Sequence, residues 1–217
     1  MTLVIKSDLS ITNPKLGKLL VKRILSSGSL IKSTLGDINN TQTDAIFGGV
    51  PTNWFGDVVL FEYFSNGVEN RSNGLGGTCF LNTETFKNSE ISFEVSKLDN
   101  SGTADIYLDL RKLVSAEDNY CIRIRLNSTG YIMMSNRYSS ADTIIQNRVD
   151  IEVGDKIKVQ LVDNGIQLRI NDVLISNNQL TTAAQVELNR SGNFGLAKGT
   201  TTAGKVGIKN LIVTEIT

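Results

Sequence analysis

The sequence predicts an all-β protein: an antiparallel two-sheet sandwich preceded by an N-terminal arm. Three observations carry this. Apolar and polar residues alternate in 90-EISFEVSK-97, 104-ADIYLDLR-111, 119-NYCIRIRL-126, 156-KIKVQLVD-163 and 165-GIQLRIN-171, the period of a strand with one buried and one wet face. Turns containing Gly, Asn or Asp separate these runs at short intervals, as antiparallel neighbours require. Residues 1–57 lack the alternation and do not read like the rest.

In chain order, 2-TLVIK-6 reads as a short strand. Asn13 suits a helix N-cap and Pro14 a first helical position. Leu16, Leu19, Leu20 and Ile24 follow at helical spacing, weakened by Gly17, so a short helix is expected within 13–25. The Ser-, Thr-, Gly- and Asn-rich stretch Ser26–Asn53 reads as a linker with little regular structure. This divides the chain into an arm, 1–55, and a sandwich domain, 56–217. Strands are expected near 58–65, 76–82, 90–97, 104–111, 119–126, 130–135, 142–147, 156–163, 165–171, 192–198 and 205–216. The connections 163-DNG-165 and 127-NSTG-130 read as tight hairpins with glycine at positive φ. The longest gap, 177-NNQLTTAAQVELNRSG-192, reads as a short helix or an outer loop.

Formal net charge is zero, and no basic, aromatic-lined groove is legible, so no nucleic acid is expected as a partner. Charge is uneven, however. Residues 1–35 hold six cations against Asp8 alone, which leaves +5. Such an arm could dock on an acidic partner or be a solvated flank. The chain has no histidine and two cysteines, Cys79 and Cys121. The usual zinc sites and every imidazole-based triad are thereby excluded. Both cysteines are expected as free thiols; a disulfide between them would cross the sandwich. The start, 2-TLVIKSDLS-10, has no charged segment leading into a long apolar run, so no secretory signal is expected. No run is long enough for membrane insertion.

Six pieces stand in a characteristic order: 76-GGTCFLNT-83, 91-ISFEVS-96, 120-YCIRIR-125, 154-GDKIKVQLVDNGIQLRINDVLI-175, 192-GNFGLAKG-199 and 206-VGIKNLIVTEI-216. Over roughly residues 55–217 this order resembles the concanavalin A-like lectin/glucanase jelly roll, including laminin-G-like modules. A loop-rich arm before such a module also resembles bacteriophage tail and other virion proteins. The two resemblances together imply a virion structural protein, without catalysis and made in a host cytoplasm. Its arm, with Lys15, Lys18, Lys22 and Arg23, would bind other virion proteins or a second copy, and its jelly roll would recognise protein or glycan. A carbohydrate-binding module without a structural role is the alternative, and a degenerate glycoside hydrolase a third reading.

Hydrolases of this jelly roll carry a Glu-x-Asp-x-Glu strand. Here the corresponding strand has Asp105, Tyr107 and Asp109 on one face, a departure that argues against hydrolysis, since retention needs two carboxyls about 5 Å apart. On the neighbouring strand Arg123 and Arg125 share a face. Two readings of these five residues stay open. They form a solvated cross-strand ladder of ion pairs, or they form a sheet face that binds a sugar through an aromatic platform and charge-assisted hydrogen bonds. Trp54, Tyr131 and Tyr138 are candidate rim residues, with core packing the competing role for Trp54. Ca²⁺ suits sites of oxygen ligands in this fold class, yet no Asp-rich loop with ligand spacing appears. No metal or other cofactor is expected.

Overall fold

A computed structural model describes residues 29–34, 54–56, 60–63, 67–72, 74, 76–112, 120–138, 141–199 and 203–216. Among them the chain forms β1 (Ser29–Thr34), β2 (Trp54–Gly56), β3 (Phe61–Tyr63), β4 (Gly67–Asn70), β5 (Gly77–Phe86), β6 (Ser89–Asp99), β7 (Asp105–Lys112), β8 (Cys121–Asn127), β9 (Tyr131–Tyr138), β10 (Ala141–Asp150), β11 (Lys156–Val162), β12 (Gly165–Ile170), β13 (Val173–Gln179), α1 (Thr182–Leu188), β14 (Gly192–Lys198) and β15 (Lys205–Ile216). The first sheet runs β13-β12-β11-β6-β15-β4-β3 and the second β10-β9-β8-β7-β14-β5-β2. On one side of β15, β4 pairs with Gly207–Lys209 and β1 with Ile212–Ile216. All pairings are antiparallel.

Alternation builds the core. On β6, Ile91, Phe93 and Val95 are buried while their neighbours are half-buried. They join Ile157, Val159 and Leu161 of β11 and Val206, Ile208 and Val213 of β15. Opposite them, β7 contributes Ile106, Leu108 and Leu110, β8 Ile122, Ile124 and Leu126, and β9 Ile132 and Met134. Each such side chain contributes roughly 1.5–3 kcal/mol by leaving water. The two-sheet sandwich is the architecture the alternation predicts. One feature differs: β7 and β8 are buried on both faces over most of their length.

The gap before residue 192 holds both a strand, β13, and the helix α1. Thr181 caps α1 by accepting from the Ala184 amide, and Leu180, Ala184 and Leu188, spaced by four, enter the core. The stretch Ser26–Asn53, read as linker, contributes β1 to the first sheet. The expected helix within 13–25 lies outside the described residues. In the β8–β9 hairpin Gly130 does take positive φ, at +87°. In the β11–β12 hairpin that role falls to Asp163, φ +49°, rather than to Gly165, because Asp tolerates the left-handed region. The two cysteines do not lie across the sandwich from each other. Cys79 and Cys121 sit in one sheet with β14 and β7 between their strands, at least about 14 Å apart from strand spacing alone and too far to bridge. Cys121 is a buried free thiol, pushed above its usual range by burial and then by Asp109.

The end of β7 departs from alternation. Arg111 takes φ +52°, so its guanidinium turns into the end of the sandwich and is buried. Its Nε donates to the Lys87 carbonyl (2.6 Å), Nη1 to Leu188 (2.8 Å) and Nη2 to Asp163 (2.7 Å). One side chain thus ties the β5–β6 turn, the C-terminus of α1 and the β11–β12 hairpin. Gly192 packs directly on the Arg111 backbone: a Cβ there would lie 2.4 Å from the Arg111 carbonyl carbon. Gly192→Ala is therefore expected to destabilise the fold by about 1–3 kcal/mol, measured as a lowered urea midpoint with unchanged m.

Candidate functional site

Register brings the five sheet-face candidates together. On β7 and β8, Tyr107 lies opposite Arg125, Asp109 opposite Arg123 and Asp105 opposite Asn127. Ile106, Leu108 and Leu110 point into the core, so Asp105, Tyr107 and Asp109 occupy the outer face of the second sheet. On one flank Tyr131, Met133 and Ser135 of β9 face Asn127, Arg125 and Arg123. On the other, the small residues Ala197 and Gly195 of β14 face Tyr107 and Asp109.

Two guanidinium–carboxylate forks organise this face. Arg123 donates from Nε and Nη2 to the two oxygens of Asp109, both at 2.7 Å. Arg125 does the same to Asp105, diagonally, at 2.8 and 2.9 Å. Asp105 also accepts from Asn127 Nδ2 (2.7 Å) and the Tyr107 hydroxyl (3.2 Å), and Lys112 Nζ lies 3.4 Å from Asp109. The Arg123 guanidinium covers the Tyr107 ring at 4.3 Å. Arg148 covers Tyr131 at 4.3 Å, with Arg125 at 5.8 Å. The ion-pair ladder is present, but it is not solvated. The Asp109 side chain is 0% exposed and that of Arg123 9%, whereas Arg125 retains 33%. Breaking the inner pair therefore belongs to the buried regime, where removing one partner is strongly destabilising. The bare tyrosine platform is likewise corrected: guanidinium groups overlie both rings.

The electrostatics follow. Burial alone would raise the Asp109 carboxyl, but the hydrogen bonds and charges of Arg123 and Lys112 prevail and hold it below the ordinary carboxylate value. Burial opposes the charge of Arg123 and Arg125, and the forks to Asp109 and Asp105 prevail there too, raising both. Burial, then Asp105, pushes the Tyr107 phenol up to about 12, so it is a hydrogen-bond donor at neutral pH. The face presents fixed donors. Toward Asp109 and Asp105 the two guanidiniums bond through Nε and Nη2.

The rim residues divide. Tyr131 joins the ladder. Tyr138 lies at the far end of β9, opposite Ala141. Trp54 lies on β2 opposite Leu81, with β5 and β14 between its strand and β7. Lys15, Lys18, Lys22 and Arg23 lie outside the described residues. Sequence reading missed Lys112, Asn127 and Arg148. Asn127 continues the period of Arg123 and Arg125 and could have been found. Lys112 and Arg148 follow irregularities, at Arg111 and in the β9–β10 register, and no period reaches past those. A separate hollow of about 310 Å³, lined by Ser92, Glu94, Lys156, Lys158, Asn210 and Ile212 among others, lies on the first sheet.

No protein-family model and no curated protein matches the chain. Solved structures do. The carbohydrate-binding module CBM66 of Bacillus subtilis is 15% identical with a TM-score of 0.55, covering 75% of this chain and 95% of its own. A protein provisionally described as a glycosyl hydrolase from Parabacteroides distasonis is 10% identical with a TM-score of 0.52, covering 76% and 94%. A family 7 alginate lyase, A1-II′, is 10% identical with a TM-score of 0.51, covering 85% and 93%. The expectation that the chain is not an enzyme is overturned here. Structures named for hydrolase and lyase activity share its fold as closely as a binding module does, so the fold excludes neither. At these identities the likeness establishes architecture alone: an all-β, antiparallel, two-sheet jelly-roll sandwich.

Proposed function

We propose that the outer face of the second sheet recognises a glycan. The carrying observation is the partly exposed fork of Arg125 with Asp105 beside Tyr107, held in place by the buried fork of Arg123 with Asp109 behind it. It presents directional donors already held in place, so little ordering entropy remains to be lost on binding. Sugar hydroxyls and carboxyls are matched by guanidinium donors, and Gly195 and Ala197 keep the neighbouring strand low beside Tyr107. The names of two similar structures, a carbohydrate-binding module and a glycosyl hydrolase, support a carbohydrate ligand. The virion role draws on the basic arm residues Lys15, Lys18, Lys22 and Arg23, which lie outside the described residues, and gains no support from these structures.

Arg125 is the variant of choice because it is partly exposed and Asp105 keeps Asn127 and Tyr107 as partners without it. On a glycan array the wild-type chain is expected to bind at least one ligand class. Arg125→Ala should weaken that binding by about 10–100-fold, the loss of one charge-assisted contact of roughly 1.5–3 kcal/mol, with little change in Tm. Absence of any wild-type binding, or equal binding by the variant, would overturn the proposal.

A further inference from the structure

The hollow on the outer face of the first sheet, about 310 Å³, has an identifiable cause. On β6, Ile91, Phe93 and Val95 enter the core, so Ser92 and Glu94 point outward. β15 sets Ile212 against Ser92 and Lys209 against Glu94, which leaves one extra residue between two β6 positions. The backbone takes up that bulge at Asn210, φ +54°. β15 also changes partner there, from β4 up to Lys209 to β1 from Ile212. A bulge bends its strand and re-aims side chains, and bulges concentrate beside functional sites. Across β6, β11 sets Lys156 against Glu94 and Lys158 against Ser92, and Asp172 closes the far wall. The hollow is polarised: a serine floor, ammonium groups on the β11 side and half-buried Ile212 on the β15 side.

The charges around it leave an excess of one positive unit. Lys209 holds Glu94 at 2.8 Å. Lys158 lies 3.8 Å from Glu90, whose carboxylate already accepts from Gln160 at 2.6 Å. Arg169, opposite Lys158 on β12, donates to the Asp172 carbonyl at 3.2 Å. Lys156, Lys158, Lys209 and Arg169 thus stand against Glu90, Glu94 and Asp172, four cations to three carboxylates, and Lys156 is exposed.

We infer that this hollow binds a small organic monocarboxylate, its carboxylate between Lys156 and Lys158 and its apolar body on Ile212. Bonds to the two ammonium groups are charge-assisted and directional, and Ile212 gives up apolar surface to the ligand. A doubly charged anion would also meet Glu94 and Asp172. The volume lies at the lower end of the range for ligand pockets. β11 and β15 are two strand spacings apart, about 10 Å, which suits a chain of about six carbons. Phe93, the aromatic residue of the lining, is buried in the core, so a pyranose finds no platform here and the site is separate from the glycan face.

Hexanoate is the probe, titrated into the isotope-labelled full chain at constant ionic strength, with acetate and hexanol as references. Saturable amide shifts are expected at Ser92, Glu94, Lys156, Lys158, Asn210 and Ile212. Hexanoate should bind at least tenfold tighter than either reference, since each lacks one half of the contact. Lys156→Gln with Lys158→Gln should weaken hexanoate at least tenfold. Ser92→Leu fills the floor and keeps both lysines; it should abolish binding with Tm little changed, because position 92 faces outward. Shifts that fail to saturate or lie on the second sheet, equal binding of acetate or hexanol, or a variant that binds like wild type would each overturn the inference, whatever the glycan array shows.

Discussion

Replacing Arg111 with alanine is expected to lower stability by about 3–5 kcal/mol, the range for losing a buried, fully bonded charged group. The carbonyls of Lys87, Leu188 and Asp163 would each lose a charged donor, and the Leu188 carbonyl, the buried one of the three, would be left unsatisfied at roughly 1–3 kcal/mol. Leu188 sits in the last turn of α1, where carbonyls have no intrahelical partner, so α1 should loosen first. For a chain of this size the loss corresponds to a fall in Tm of about 6–20 °C. Burial pulls the guanidinium down to about 10, still far enough above neutrality that the group is charged under ordinary conditions. Arg111→Lys should recover less than half of the loss, because an ammonium on a single stem cannot reach three carbonyls from three segments. Thermal unfolding of the two variants checks both numbers. Near-equal Tm for Arg111→Ala and wild type would remove Arg111 from its place as the tie of that end.

The second large effect is expected at Asp109. Asp109→Asn keeps the shape but leaves the buried Arg123 without its counter-charge, at a cost of about 3–5 kcal/mol. Replacing Arg123 as well, as in Asp109→Leu with Arg123→Met, should recover only part of that loss: the Arg123 charge no longer stands unpaired, while the buried Lys112 still loses the carboxylate 3.4 Å from its ammonium. The pH dependence has a definite sign. The folded-state carboxyl titrates below its unfolded value, so its contribution is complete above the unfolded value, about 3.9, and is lost as pH falls from there through the folded value. Urea midpoints for wild type and Asp109→Asn should therefore differ widely at pH 7 and converge as the pH drops below about 4. A gap that stays constant down to the lowest accessible pH would contradict the charge-pair account.

Particular residues show what was legible beforehand. β6 and β11 could be read from sequence because each buries one face, and burial is what selects alternation. β13 could not: it is exposed along nearly its whole length, so no burial pattern marks it as a strand. Asp105, Tyr107, Asp109, Arg123 and Arg125 were legible as co-facial because period two holds along β7 and β8. Their burial was not, since it arises from the forks and from guanidinium groups laid over the tyrosine rings, which no single strand records. Arg111 reads as one more exposed alternate residue; its left-handed backbone is a tertiary choice that leaves no mark in the sequence. The glucanase-type jelly roll was legible in the order of the pieces from 76-GGTCFLNT-83 to 206-VGIKNLIVTEI-216; the likeness to an alginate lyase entered only through shape.

The most direct measurement is an amide chemical-shift map of the isotope-labelled full chain, titrated with the glycan that gives the strongest array signal. The expected result is saturable shifts centred on Asp105–Asp109, Arg123–Asn127 and Tyr131–Ser135, with the first sheet quiet. Shifts confined to the hollow around Glu94, Lys158 and Ile212, or absent from the second sheet altogether, would contradict the placement of the glycan site.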